Sequence, residues 1–144
     1  MGAWGAGSFE NDIASDWAAE LAGGGGIDLV RDTLHTAAAC PPEEYLEVDE
    51  GSEALAAAEV VAAAKGRPLG AIAMGSSGPH ALAWAKAHPG AGKADLVALA
   101  LDALDRVEGT GSELSELWAA ELGAGAGSRE WFSEVEDLRN RLAG

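Results

Sequence analysis

A stretch near the middle of the chain is apolar on every side of a helix. Within the range Ala54–Ala64, Glu59 is the only residue that is not apolar. A helix without a polar face is normally buried, because no side of it favours contact with water. Ser52 suits an N-cap, and Gly66 suits the left-handed position that follows a helix. The sequence therefore predicts a central helix over Ser52–Lys65, with the other helices packed around it.

Six further segments carry apolar residues at the three- and four-residue spacing of one helix face. Gly, Pro or capping residues separate them, and no segment shows the strict alternation of a strand. Together with the central helix they predict an all-α fold: one domain over residues 1–144, an irregular bundle of about seven helices, with a Gly/Trp-containing arm over residues 1–10. The six segments are Asn11–Leu21, Leu29–Ala38, Gly78–His88, Lys93–Val107, Glu113–Leu122 and Arg129–Leu142.

The charge balance is strongly acidic, with 24 Asp and Glu against 9 Lys and Arg and a formal net charge of −15. Such a field keeps a protein soluble, repels nucleic acid and anionic membranes, and attracts a basic partner. The chain opens without a basic and apolar leader, and no apolar run approaches the ~20 residues of a membrane span. These features predict a cytoplasmic protein with no nucleic-acid or membrane partner.

Acidic residues concentrate in two places. Asp12 and Asp16 lie four residues apart on the first predicted helix, and the connector Glu43–Gly51 holds five acids. A charge run of this kind is either a solvated face or a binding site for a cation or a basic partner. In the same connector, Tyr45, Leu46 and Val48 are expected to contact the core. The predicted binding residues are Asp12, Asp16, Glu43, Glu44, Glu47, Asp49 and Glu50.

Glu59 is costly on a buried helix unless it is paired or protonated. Arg106, Arg67, a Trp indole N–H and a backbone amide are candidate partners. Arg141 is assigned instead to the outer face of the last helix, four residues after Asp137. Two alternatives remain open for Glu59: exposure through a face made of alanines, or the role of a catalytic acid with a raised pKa.

Other signs of chemistry are absent. His35, His80 and His88 are widely spaced, and Cys40 is the single cysteine, so the sequence predicts no disulfide, no metal site and no cofactor. The segment Gly70–Gly75 has the glycine spacing of a phosphate-binding loop but lacks the lysine that such a loop requires.

Three motifs resemble a known family. The opening MGAWGAGSFENDIASDW, the segment AAAEVVAA and the segment SELSELW are similar to sequences of a bacterial family, domain of unknown function 4259. The opening is the most specific of the three. The resemblance implies a small bacterial α-helical domain and brings no established activity with it.

These observations favour a non-catalytic cytoplasmic protein whose acidic surface binds a basic protein, in the manner of an immunity protein or an antitoxin. Two alternatives stay open. One is a hydrolase-type or metal-dependent enzyme that uses Asp12, Asp16 and Glu59, which requires these carboxylates to converge in one cleft. The other is a structural or oligomerising module, for which an extended exposed apolar patch would be the sign.

Overall fold

The computed structural model describes residues 12–67, 78–117 and 126–144. Within these ranges there is no strand, and one isolated parallel bridge joins Leu46 to Ser112. The all-α prediction is therefore confirmed. Six α-helices of nine residues or more and one single-turn α-helix are present among the described residues: α1 (Asp12–Glu20), α2 (Gly26–Ala38), α3 (Val48–Ala64), α4 (Gly78–Ala87), α5 (Ala94–Glu108), α6 (Glu113–Glu116) and α7 (Ala126–Ala143). A short 3₁₀ helix, Pro89–Gly92, lies between α4 and α5.

The central helix α3 packs against every other helix named above. All residues from Ala54 to Ala62 are buried, as their lack of a polar face predicts. Five of these nine residues are alanine, so neighbouring helices can approach the α3 backbone closely at those positions. The larger core side chains come from the surrounding helices, among them Trp17, Leu34, Leu104 and Trp131.

The start of the central helix differs from the prediction. α3 begins at Val48, and Ser52 is buried inside it, so Ser52 is not the N-cap. The first turn is capped from elsewhere, because the Val48 N–H donates to Oε1 of Glu113 over 2.8 Å. A cap supplied by a distant residue leaves no local signature in the sequence. The end of the helix agrees better, since Gly66 has a φ of +94°.

The glycine tract Gly23–Gly26, which separates the first two predicted helices, forms only a short break. α1 runs into a π-type turn over Leu21–Gly25, and α2 begins at once at Gly26, with the kink at Gly24. The helix that was expected from Leu29 therefore starts three residues earlier. Ser112 caps α6 by accepting from the Ser115 N–H over 3.4 Å.

Parts of the sequence prediction lie outside the described residues. These are the arm over residues 1–10, the loop over residues 68–77 and the second half of the helix that was expected to follow Glu113.

Candidate functional site

The buried carboxylate of Glu59 is paired with Arg141, which lies on α7. Nη1 of Arg141 is 2.7 Å from Oε1 of Glu59 and Nη2 is 3.0 Å from Oε2, so the two groups form a bidentate ion pair. Two of the candidate partners do not pair with this carboxylate: Arg106 donates to backbone carbonyl groups, and Arg67 accepts a hydrogen bond from Arg141 through its carbonyl oxygen. This geometry is that of a structural ion pair between the central and last helices.

Arg141 also makes the predicted pair with Asp137, through Nε at 2.7 Å. The pKa of Arg141 is raised above its ordinary value: burial alone would lower it, and the hydrogen bonds and charges of Glu59 and then Asp137 outweigh that effect. The arginine therefore stays charged and holds both carboxylates. Lys65 adds a further link between the same two helices by donating to the Leu142 carbonyl.

A second arginine of α7 fastens that helix to α5. Arg139 pairs with Asp105 at 2.6 Å and also with Glu108. The arginine-clamped end of the molecule consists of Arg139, Arg141 and the five carboxylates that pair with them, Glu59, Asp105, Glu108, Glu136 and Asp137. At this end, each of these carboxylates is paired with a guanidinium group.

A second group of carboxylates, without ion pairs among the described residues, lies where the connector, the start of α3 and α6 meet. Tyr45 donates to Glu116 over 2.7 Å, which brings the connector and α6 together. Among the described residues, none of the carboxylates gathered here forms an ion pair. This acidic end consists of Glu43, Glu44, Glu47, Asp49, Glu50, Glu53, Glu113 and Glu116.

The predicted binding residues divide into two groups. Glu43, Glu44, Glu47 and Asp49 are exposed, Glu50 is half-buried, and all five belong to the acidic end. Asp12 and Asp16 are exposed on α1, and within the described part of the chain no hydrogen bond or ion pair joins them to that group. The nearest link from α1 is Glu20, whose charge acts on Glu53.

Crowding of like charges alters the titration of the acidic end. Partial burial and then the charge of Glu47 raise the pKa of Glu50, although this residue lies in the first turn of α3, where the helix dipole favours a negative charge. Partial burial and then the charge of Asp49 raise the pKa of Glu53. The charged forms of both residues are therefore disfavoured in the free protein.

Tyr45 belongs to the same surface. Its hydrogen bond to Glu116, followed by other effects that include the charges of Glu116 and Glu113, raises its pKa to about 12. The expectation that Tyr45 contacts the core is wrong, because 52% of it is exposed. Leu46 is buried and Val48 packs against the core, as predicted. Tyr45 thus faces outward and Leu46 faces inward. This alternation of neighbouring side chains is the signal that would have predicted an exposed Tyr45.

A shallow cleft of about 150 Å³ lies between α2 and α3 beside the acidic end. It is lined by Asp32, Thr33, Thr36, Glu50 and Glu53. Among the described residues, His, Cys, Asp and Glu side chains nowhere gather in threes in an arrangement that could hold a metal ion. The cleft thus widens the acidic surface without forming a closed pocket.

Three further residues of this region were missed as well. Glu53, Glu113 and Glu116 belong to the acidic end, but the last two are more than 60 residues from their contacts in the connector. Arg106 lies beneath the same surface, where it donates to backbone carbonyl groups instead of Glu59. No local pattern in the sequence predicts these long-range contacts.

The fold and the surface define a small all-α protein with one acidic, unpaired end. The chain belongs to the DUF4259 family, a domain of unknown function, whose family model matches residues 2–134. The family resemblance of the three sequence motifs is thereby confirmed. The match ends within α7, so Arg139 and Arg141 lie beyond it. No curated protein matches the chain. No solved structure matches it either. In the ranges that the structure describes, no helix combines the length and the apolar character needed to cross a membrane.

Proposed function

We propose that this protein is a non-catalytic binding protein whose acidic end holds a basic protein partner. The observation that carries the proposal is the segregation of charge. Eight carboxylates gather at the acidic end without an ion pair among the described residues, whereas the arginines that form ion pairs do so elsewhere. A surface left with uncompensated charge is one that a partner of opposite charge can neutralise.

The placement of the basic residues supports this view. Arg31 pairs with Asp95 at 3.2 Å, and Arg139 and Arg141 form the arginine-clamped end. Arg106 is buried and directed at carbonyl groups. Among the described residues no basic side chain pairs with the acidic end, and the field of this end adds to that of a chain with a net charge of −15. Such a field raises the rate at which a basic partner is encountered.

Tyr45 gives this surface an apolar contact as well as charge. It is the one large hydrophobic side chain that is exposed among the described residues, and Glu116 fixes its hydroxyl. Exposed tyrosines are common energetic centres of protein interfaces. The ring face can also attract a lysine or arginine side chain, which the neighbouring carboxylates would bind at the same time.

By analogy of charge and size, this role resembles that of an immunity protein or an antitoxin that neutralises a basic enzyme. We place the role in the cytoplasm, in agreement with a single cysteine, Cys40, that forms no disulfide. The enzymatic alternative gains no support, because both carboxylate oxygens of Glu59 accept from Arg141. The oligomerising alternative gains none either, since Tyr45 stands alone as an exposed large hydrophobic residue in the described ranges.

The proposal can be tested with two variants of equal charge. E44Q/E47Q/D49N neutralises three carboxylates of the acidic end, and D28N/D102N/E130Q neutralises three exposed carboxylates on α2, α5 and α7. Each is titrated with a nona-arginine peptide by isothermal calorimetry, at ~20 and ~150 mM salt. We expect the first variant to lose about tenfold in affinity, equivalent to ~1.4 kcal/mol, and the second to lose much less. Equal losses in the two variants would contradict a focused binding surface.

The natural partner can be sought in parallel by affinity capture from the host lysate. The parent chain and E44Q/E47Q/D49N serve as matched baits, and bound proteins are eluted in salt steps. A basic protein that the parent retains and the variant does not would identify the partner class. A set of captured proteins that is identical for both baits would argue against the acidic end as the binding surface.

A further inference from the structure

Arg106 lies beneath the acidic end and has an unusual set of hydrogen-bond partners. It lies in the last turn of α5 and is 9% exposed, yet no carboxylate pairs with it in the part of the chain that the structure describes. Its guanidinium group donates instead to backbone carbonyl oxygens and, over 3.5 Å, to Sγ of Cys40. The carbonyl groups belong to Cys40 (2.9 Å), Pro41 (3.2 Å), Glu44 (2.6 Å), Thr110 (3.1 Å) and Gly111 (3.4 Å).

These acceptors come from two separate segments. One is the segment 39–47 between α2 and α3, which includes the first part of the connector, and the other is the loop between α5 and α6. A buried guanidinium is tolerated only when its N–H groups are satisfied, and its planar fork can reach several acceptors at once. Arg106 therefore fixes the two segments against each other by donating to carbonyl groups of both.

The two segments also contact each other directly at this point. The Leu46 N–H donates to Gly111 O over 2.8 Å, and the Glu113 N–H donates to Leu46 O over 2.9 Å. Gly111 has a φ of +79°, and a Cβ at this position would lie 3.2 Å from the carbonyl oxygen of Pro42. A residue with a side chain would be strained there. The geometry is thus fixed by a guanidinium group, two hydrogen bonds and a glycine.

Both segments carry the acidic end. Glu43, Glu44 and Tyr45 lie on the connector beside the carbonyl groups that Arg106 binds, while Glu113 and Glu116 follow the second loop. We propose that Arg106 is the positioning residue of this binding surface: it joins the connector to the α5–α6 loop, so that Tyr45 and the carboxylates are already arranged when a basic partner arrives. This inference rests on the proposed function and explains how the surface is preorganised.

The sign of the charge makes this role separable from electrostatics. Arg106 is a positive charge beneath a surface that attracts positive partners, so its removal makes the chain more acidic and favours encounter. R106Q should nevertheless bind a basic probe more weakly, because the surface must then be ordered on binding. R139Q removes one positive charge as well, at the arginine-clamped end, and is the matched control.

The test combines hydrogen exchange with binding. Amide exchange of Leu46 and Glu113 is measured by NMR in the parent chain, R106Q and R139Q, and each protein is titrated with nona-arginine at ~20 mM salt. In R106Q we expect exchange at both amides to accelerate by about tenfold or more, and affinity to fall by about tenfold relative to R139Q. R106K retains the charge with fewer donors and serves if R106Q does not fold, with smaller changes in the same direction.

Unchanged exchange at Leu46 and Glu113, or binding by R106Q as tight as that of R139Q, would overturn the inference. Failure of the proposed function looks different: the parent chain and R139Q would then not bind nona-arginine at all, and the binding surface would be refuted together with its positioning residue. In that event accelerated exchange in R106Q would still identify Arg106 as a purely structural link between the two segments.

Discussion

The carboxylates near the two ends of the central helix differ in whether they form ion pairs. At the arginine-clamped end, Arg139 and Arg141 hold carboxylates from three helices, and one of these, Glu59, is buried. At the acidic end, eight carboxylates form no ion pair among the described residues, and the nearest arginine, Arg106, binds carbonyl groups. Paired charges hold the helices together, whereas unpaired charges of one sign cost stability and suit a partner of opposite sign.

The largest effect is expected at the arginine-clamped end. R141M removes the guanidinium group that pairs with the buried Glu59 carboxylate, and removal of one member of a buried pair typically costs about 3–5 kcal/mol. Since the Arg141 side chain is 12% exposed, we expect a loss near the lower end, about 3 kcal/mol, in the free energy of unfolding measured in urea. E59M/R141M, which replaces the pair by apolar groups, should recover much of that loss.

D137N is the matched control for this prediction. Asp137 pairs with the same arginine, but its side chain is 57% exposed, and exposed pairs contribute about 0.2–1 kcal/mol. A loss in R141M no greater than that in D137N would contradict the assignment of Glu59–Arg141 as the pair that fastens α7 to α3.

Sequence reasoning succeeded where the signal is local. The apolar stretch that contains Glu59 predicted a buried central helix, and the period of apolar residues predicted the helix over Lys93–Val107, which the structure places at Ala94–Glu108. Both features depend on neighbours within a few residues. The same reasoning assigned Arg141 to Asp137 four residues away, which is correct but incomplete.

The missed contacts join residues that are far apart in the chain. Glu59 and Arg141 are 82 residues apart, and Val48 and Glu113 are 65 apart. Such pairs depend on where α6 and α7 cross α3, which no local pattern encodes. The exposure of Tyr45 also depends on how Arg106 and the α5–α6 loop hold the connector. The sequence could therefore indicate that the connector is acidic, but not which residues complete the surface.

A smaller effect of opposite sign is expected at the acidic end. E50Q/E53Q removes two carboxylates whose neighbours are also acidic, and like charges at such spacing each cost a few tenths of a kcal/mol. We expect the variant to be more stable than the parent by about 0.5 kcal/mol at pH 7.5, measured by urea denaturation. A variant less stable than the parent would show that other contacts of these carboxylates stabilise the fold by more than their mutual repulsion destabilises it.

The stability difference between the same variant and the parent is expected to depend on pH. The pKa values of Glu50 and Glu53 are raised in the folded chain, so in the range above their ordinary value the folded state binds more protons than the unfolded state. Their unfavourable contribution is therefore present at pH 7.5 and is relieved as the pH falls through the raised values. The stability difference between E50Q/E53Q and the parent should shrink between pH 7.5 and ~4.5. A difference that grows on acidification would contradict the raised values.

The smallest effect is spectroscopic. Tyr45 is the only tyrosine in the chain, so its ionisation can be followed by absorbance at ~295 nm without interference from another phenol. With its pKa raised to about 12 by the hydrogen bond to Glu116 and the nearby charges, Tyr45 should remain mostly protonated at pH ~11. E116Q should shift the titration toward the ordinary value of 10.0. An unchanged titration in E116Q would mean that Glu116 does not hold the tyrosine hydroxyl.

The central claim is that the acidic end is the surface on which a basic partner binds. The most direct measurement is a ¹H–¹⁵N NMR titration of the full chain with nona-arginine at ~20 and ~150 mM salt. We expect the largest chemical-shift changes at Glu43–Glu53 and Glu113–Glu116. We expect changes at the same residues to persist at the higher salt. Shifts spread evenly over the acidic surface, or centred on Asp12 and Asp16 of α1, would contradict it.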